Sequence, residues 1–332
     1  MRFVRKILVL AVVSFCFLPL QAQRKPRTLT QGRIAGTDFE SVLSCEALSR
    51  QIEFLSDSLC QGRAMQSPGG SEAAFWILRQ IGHYRMMPIG EYYVHTFEAG
   101  GRIGHNMMSI VPGTSGKYIV VAAHYDGLGT LDGNLYPGAD SNASGVAAML
   151  QLAHIFASRS PFVPQHTGII FVALDGKQVS MAGAQALYKE LSAGLVCNPV
   201  SGTPIHPSDI SFLVNLDIIG STLEPVHKDK PAFLIMLGGA EYQQDLLRTV
   251  NRTHQTFLDL SFDYYGSSDF TDLFFRRISD QKVFLDHGIP AVMFTSGITM
   301  RTNRQDDTLD SLDLEVLRRR VVLIYRWLEC QV

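Results

Sequence analysis

The sequence predicts a single α/β domain, with a mixed but mostly parallel sheet and helices on both faces, and three observations point to it. Apolar runs such as YIVVAA (118–123) and TGIIFVAL (167–174) are nearly continuous, as strands buried on both faces require. Strand-like and helix-like segments alternate along the chain, the pattern of parallel strands joined by helical crossovers. Polar residues also recur where the apolar runs stop: His124 and Asp126, Asp175 to Gln178, Asp217, and the loop after Phe294. In open α/β sheets the carboxyl ends of strands are where ligands collect.

Composition sets the outer bounds. The chain has 332 residues, 46% apolar and 18% charged, with a formal net charge of -2. This is an ordinary globular balance with no basic footprint for nucleic acid. Residues 1–22 read as an export signal: MRFVRK is a basic start, ILVLAVVSFCFLPL an apolar run, and a small residue, Ala22, follows. The run is shorter than the ~20 residues a membrane span needs. Cys16 follows the bulky Phe15, which favours cleavage over lipid attachment. The expected location is therefore secreted or periplasmic, with no transmembrane segment after cleavage. Cys45, Cys60, Cys197 and Cys330 remain, without a Cys-x-x-Cys pair; a Cys45–Cys60 bridge and free thiols are equally compatible with the spacing.

Residues 23–43 are an extended lead-in, polar, basic and aperiodic from Arg24 to Asp38, to a domain over 44–332. Ser44 to Ser56 and Ser71 to Tyr84 have helical spacing, the second after Ser67-Pro-Gly-Gly. Tyr92 to Phe97 and Ile103 to Val111 read as antiparallel strands about a Gly-Gly turn. The strand ending at His124 leads through a Gly-rich crossing to Gly138-Ala139-Asp140, and Asn142 opens an apolar helix. Thr167 to Leu174 is a strand, Met181 to Leu191 a helix, and Asn198 to Asp209 a loop rich in Pro, Gly and Ser. Ile210 to Leu216 and Ala232 to Leu237 are strands, Ala240 to His254 an amphipathic helix, Ile289 to Phe294 the last core strand and Asp313 to Leu328 the closing helix. His154, inside an apolar helix, is expected to be a core histidine with its hydrogen bonds met.

His124, Asp126 and Asp140 are candidate metal ligands or their supports, because an imidazole at a strand end, a carboxylate two residues on and another at a loop-to-helix junction suit zinc. Taken alone, a His-x-Asp spacing is more often a capping or surface pair. The wider set of motifs resembles the zinc-dependent aminopeptidase family that includes bacterial leucyl aminopeptidase, glutaminyl cyclase and the transferrin receptor ectodomain. The matching pieces are LSDSLCQGRAMQSPGG, HNMMSIVPG, VVAAHYDGLG, GADSNASGVAAML, IIFVALDGKQ, LVNLDIIG, SDQKVFLDHGIP and DDT, in the family's order from about Ser44 onward. The resemblance implies two zinc ions bridged by a carboxylate, and a glutamate as general base. It places His124 as a histidine ligand, Asp126 as the carboxylate that orients it, Asp140 as the bridging aspartate and Asp217 as the aspartate sharing one ion with His124.

The other half of the family pattern is altered. Asp-Gly-Glu-Glu is here Asp175-Gly176-Lys177-Gln178, so Lys177 stands in the general-base position and Gln178 in a ligand position. Asn303, four residues before Asp307-Thr308, takes the place of the remaining histidine ligand, and Gln281 that of a histidine after Ser-Asp. Neutral amides are poor zinc donors, and a protonated lysine has no lone pair with which to accept a proton. General base work is typically worth about 10²–10⁴-fold. The expectation is a degenerate two-zinc peptidase, with zinc at none or one ion rather than two, and Lys177 supplying the charge of one metal. Its partner would be a peptide or protein ligand. Two alternatives stand beside it: an active mononuclear-zinc aminopeptidase held by His124, Asp140 and Asp217, and a glutaminyl cyclase, whose single zinc would need the positions of Asp140, Gln178 and Asn303.

Overall fold

A computed structural model describes residues 42–89, 92–223, 229–264 and 266–332. The expected export signal and all but the last two residues of the lead-in lie outside the described residues. Ser44 caps α1 (Cys45–Ser56), its hydroxyl accepting from the Ala47 N–H at 3.1 Å. A 3₁₀ stretch (Ser58–Arg63) follows, and Ser67 caps α2 (Pro68–His83), whose first position is a proline. There a missing N–H costs nothing, and the Ser67 hydroxyl accepts from the Gly70 N–H, one of the donors the helix start leaves unpaired.

The strands are β1 (Met87–Pro88), β2 (Val94–Ala99), β3 (Arg102–Val111), β4 (Tyr118–His124), β5 (Gly129–Leu131), β6 (Asn134–Tyr136), β7 (Gly168–Leu174), β8 (Ile210–Leu216), β9 (Phe233–Gly238), β10 (Asp259–Ser261) and β11 (Ala291–Thr295). The later helices are α3 (Ser144–Arg159), α4 (Ala182–Ser192), α5 (Glu241–Thr253), α6 (Ser268–Phe275), α7 (Gln281–Asp286) and α8 (Leu314–Glu329). The main sheet runs β1-β3-β7-β4-β8-β11-β9-β10, with β2 paired to β3. Its centre, β7-β4-β8-β11, is parallel throughout. Antiparallel pairs flank that centre, β3 on β7 and β9 on β11.

Alternation along β4 shows why both faces are covered. Ile119, Val121 and Ala123 point into a core with α1, α2, α3, α5 and α8, whereas Tyr118, Val120 and Ala122 meet residues of α4 and α7. Successive side chains of a strand face opposite ways, so a continuous apolar run needs helices on each side. The mixed, mostly parallel α/β sheet expected from the sequence is therefore the architecture of the chain. The short elements β5, β6, β10, α6 and α7 were not predicted, and a 3₁₀ turn at Pro207–Asp209 closes the expected 198–209 loop.

Parallel β4, β7 and β8 carry His124, Asp175 and Asp217 to the same edge of the sheet, at or just past their carboxyl ends. Asn142, fully buried, ties that edge together. Its Nδ2 donates to the carbonyls of His124 (3.2 Å) and Leu216 (2.9 Å), and its Oδ1 accepts from the Ile218 N–H at 3.0 Å. The approach leaves no room at Gly145, where a Cβ would stand 2.4 Å from Asn142 Oδ1 and 2.5 Å from the Leu216 carbonyl oxygen. Only glycine lets the start of α3 come so near two strand ends.

Candidate functional site

At this edge three side chains form one buried cluster. Asp217 Oδ1 lies 3.2 Å from His124 Nε2, and Asp217 Oδ2 lies 2.6 Å from Lys177 Nζ. Lys177 Nζ is also 3.1 Å from His124 Nε2. His124 and Asp217 are 0% and 1% exposed at their side chains and Lys177 15%, so the ammonium plugs the mouth of the cluster. Gly176 makes this possible: its φ of 71° turns the chain after β7 so that Lys177 reaches back over the strand ends.

The charges follow from the geometry. Burial and the Lys177 charge pull the His124 imidazole down, but the Asp217 carboxylate and the hydrogen bonds outweigh them and push it up to about 9. Burial raises Asp217, yet Lys177 and His124 together hold it well below the usual carboxylate range. One carboxylate is thus clamped between two cations, opposite charges each favouring the ionised form of the other.

Asp126 acts differently from the expectation. The His124 Nδ1–H donates to the Asp126 backbone carbonyl at 2.9 Å, while the carboxylate stands 3.5 Å from Nδ1. Both carboxylate oxygens instead accept backbone N–H groups at 3.0 Å, Oδ1 from Lys177 and Oδ2 from Gln178. Asp126 therefore orients the imidazole through its main chain and pins the Lys177 loop through its side chain.

Asp140 is the main correction. Its Oδ1 accepts from the Gly220 N–H (2.6 Å) and the Ser144 hydroxyl (2.9 Å), and its Oδ2 from the Ser221 N–H at 3.0 Å. Its oxygens are spent holding the loop after Asp217, and it does not join His124 and Asp217. The neighbouring Ser141 is the residue that meets Asn303, hydroxyl to Oδ1, at 3.1 Å. The residue of this turn beside the altered histidine position is a neutral serine, one place further on than the sequence reading put the ligand. Gln178 is exposed, and its side chain has no hydrogen bond among the described residues.

Three acids to which the sequence assigned no role of their own shape the surroundings. Asp280 is 0% exposed and neither carboxylate oxygen has a hydrogen-bond partner among the described residues. Burial pushes it up to about 6, although His124 and Lys177 pull the other way. Burial, with the Asp126 charge, lifts Asp175 to about 7; burial, with the Asp140 charge, lifts Asp307 to about 7. Asp307 also receives the Asp140 and Ser141 N–H groups at 2.7 and 3.1 Å, so it shapes the turn that aims Ser141. No sequence signal exposes Asp280: its neighbours Ser279 and Gln281 are both bound by Asn215, a contact that only the fold creates.

Zinc can be tested directly against this donor set. It needs about four donors near 2.0–2.3 Å, most of them anionic or imidazole. The ammonium of Lys177 already lies against the donor atoms that His124 and Asp217 would offer, and the other ligand positions hold a serine and two amides. Among the described residues no three His, Cys, Asp or Glu side chains gather closely enough to hold a metal ion. The residues present do not fit zinc, either as a pair of ions or as the mononuclear centre of His124, Asp140 and Asp217.

A mixed α/β sheet with polar groups gathered at its parallel strand ends places the chain in the class of open α/β proteins with a strand-end site. Within that class, residues 106–327 match the family model of peptidase family M28, and the chain belongs to that family. The fold is similar to a zinc aminopeptidase from Bacillus subtilis, with a TM-score of 0.65 and 14% identity over 87% of this chain and 95% of that one. It is similar to a glutaminyl cyclase from Fimbriiglobus ruber at TM-score 0.67 and 16% identity, covering 87% and 96%. Among sequences, YfbL of Escherichia coli is 24% identical over 62% of this chain, and a probable zinc metalloprotease of Pyrenophora tritici-repentis is 32% identical over 32%. The match takes in 64% and 21% of the length of those relatives.

Proposed function

We propose that this M28 domain has left two-zinc hydrolysis behind and is kept for binding a peptide or protein, with Lys177 as a built-in replacement for a metal charge. The observation that carries the reading is the 2.6 Å contact of Lys177 Nζ with Asp217 Oδ2 beside His124. A lysine there removes the general base and fills the metal's place in one substitution. The neutral Ser141, Gln178 and Asn303 remove the other anionic or imidazole donors. Export is part of the reading and rests on the basic and apolar run over residues 1–22.

The deciding experiment is metal content by mass spectrometry after incubation with zinc and removal of the excess. The expected result is well under one equivalent, with no hydrolysis of aminoacyl anilides. The combined variant Ser141→Asp, Lys177→Glu, Gln178→Glu and Asn303→His is expected to take up zinc. Two tightly held ions in the unaltered protein, or one that supports hydrolysis, would overturn the proposal.

A further inference from the structure

Away from the strand ends, α1, α2 and α3 line an open cavity of about 740 Å³, inside the roughly 300–1,000 Å³ range of small-molecule sites. Its walls carry two stacked ring pairs. Phe54 and Trp76 lie 4.9 Å apart at 13°, and Tyr84 and His154 lie 4.2 Å apart at 9°. His154 is thus not the hydrogen-bonded core histidine expected from the sequence. Burial, then the charge of His83, lowers its pKa, which leaves a neutral ring suited to stacking.

The polar lining is one-sided. Gln51 and Gln151 are 4% and 1% exposed, and both line the cavity. Gln51 Nε2 donates to the Tyr84 hydroxyl at 2.7 Å. The carbonyl oxygens of both glutamines are buried with no partner among the described residues. A buried acceptor without a donor is costly, and two such acceptors beside one cavity call for a ligand that brings donors. At the rim stand Glu53 and Asp57, with Arg50 opposing them, so the carboxylates outnumber the single arginine. Flat aromatic walls, acceptors without donors and an acidic rim all suit a cation that also has a planar face.

We propose that this cavity binds a small aromatic ammonium compound, with its ring among Phe54, Trp76, Tyr84 and His154 and its N–H donors on the Gln51 and Gln151 carbonyls, whose buried oxygens turn into the cavity as the ligand enters. The site is separate from the Lys177 cluster, and the proposal stands whether or not that cluster binds metal.

Calorimetric titration of the full chain with tryptamine, and with tryptophol as its uncharged counterpart, tests it. One saturable site is expected, with tryptamine bound at least about fivefold more tightly than tryptophol, since the ammonium adds cation–π and rim attraction. Trp76→Ala and Gln151→Leu are each expected to weaken tryptamine about tenfold, a loss typical of a buried aromatic or polar anchor. Glu53→Gln lies on the exposed face of α1 and leaves folding alone; it is expected to shrink the preference for tryptamine over tryptophol. No saturation by tryptamine into the millimolar range would overturn the proposal. So would an affinity unchanged by Trp76→Ala and Gln151→Leu in protein that melts normally, or an equal affinity for the two compounds.

Discussion

Lys177 and His124 share one carboxylate, and the consequences are measurable at single residues. Lys177→Ala leaves Asp217 with only His124 as a partner; since Lys177 is 15% exposed, the expected loss of stability is about 2 kcal/mol, below the range for a fully buried pair. Urea denaturation checks it, and the same variant should bind zinc more readily than the parent. The pH dependence has a definite sign. His124 stands at about 9 in the fold against an ordinary 6.5, so its contribution is full below about pH 6.5 and is lost as pH rises through 9. Asp280, Asp175 and Asp307 are raised to about 6, 7 and 7 from an ordinary 3.8. The folded protein holds their protons more tightly than the unfolded chain does, so they too cost stability as pH climbs from about 4 to 7. Asp217 works the other way, but only below the ordinary carboxylate range. Thermal melting should therefore be highest near pH 4–5 and fall towards pH 9, with Asp280→Asn flattening the limb between about 4 and 6. A melting temperature that climbs steadily from pH 5 to 9 would contradict this arrangement.

At the level of elements, the loops that carry the cluster are fastened by one residue the sequence did not advertise. Arg63, fully buried at the end of the 3₁₀ stretch, donates to the carbonyls of Tyr125 (2.8 Å), Pro137 (2.7 Å), Gly138 (2.8 Å) and Leu55. It joins the segment after β4 to the turn that holds Ser141. Arg63→Met should cost more than about 3 kcal/mol by leaving buried carbonyls unpaired, and should open residues 125–140 to limited proteolysis. The sequence did show where the core strands and long helices lie, because periodicity and caps at Ser44, Ser67 and Asp313 are local signals. What it could not show is which side chain of a tight turn faces the cleft. Asp140 and Ser141 are adjacent, and their directions depend on backbone torsions set by Asp307 and Asn142, which come from elsewhere in the fold. Asp280 stayed hidden for the same reason: burial of an acid is a tertiary fact.

Across the whole molecule, family and architecture were legible and the direction of chemistry only partly so. Lys177, Gln178 and Asn303 carry the proposed altered centre through their residue types alone, whereas the placement of Asp140 on Gly220 and Ser221, away from His124 and Asp217, is a tertiary fact. Export belongs to this scale as well. The mature protein from its native host is expected to begin near Gln23, and amino-terminal sequencing of the exported fraction checks it. A chain that begins at Met1 would refute cleavage. No helix among the described residues is long and apolar enough to cross a membrane.

The cation at the mouth of the strand-end cluster is tethered by covalent bonds. A bound metal has an affinity and can be scavenged, and proteins that depend on one lose shape when it goes. An ammonium on a side chain has no dissociation constant. On the proposed reading, the lysine that Asp217 holds at 2.6 Å frees the folded state from zinc supply, so strong chelators should leave both the yield of folded protein and its melting temperature unchanged. Such a site keeps its shape through metal starvation.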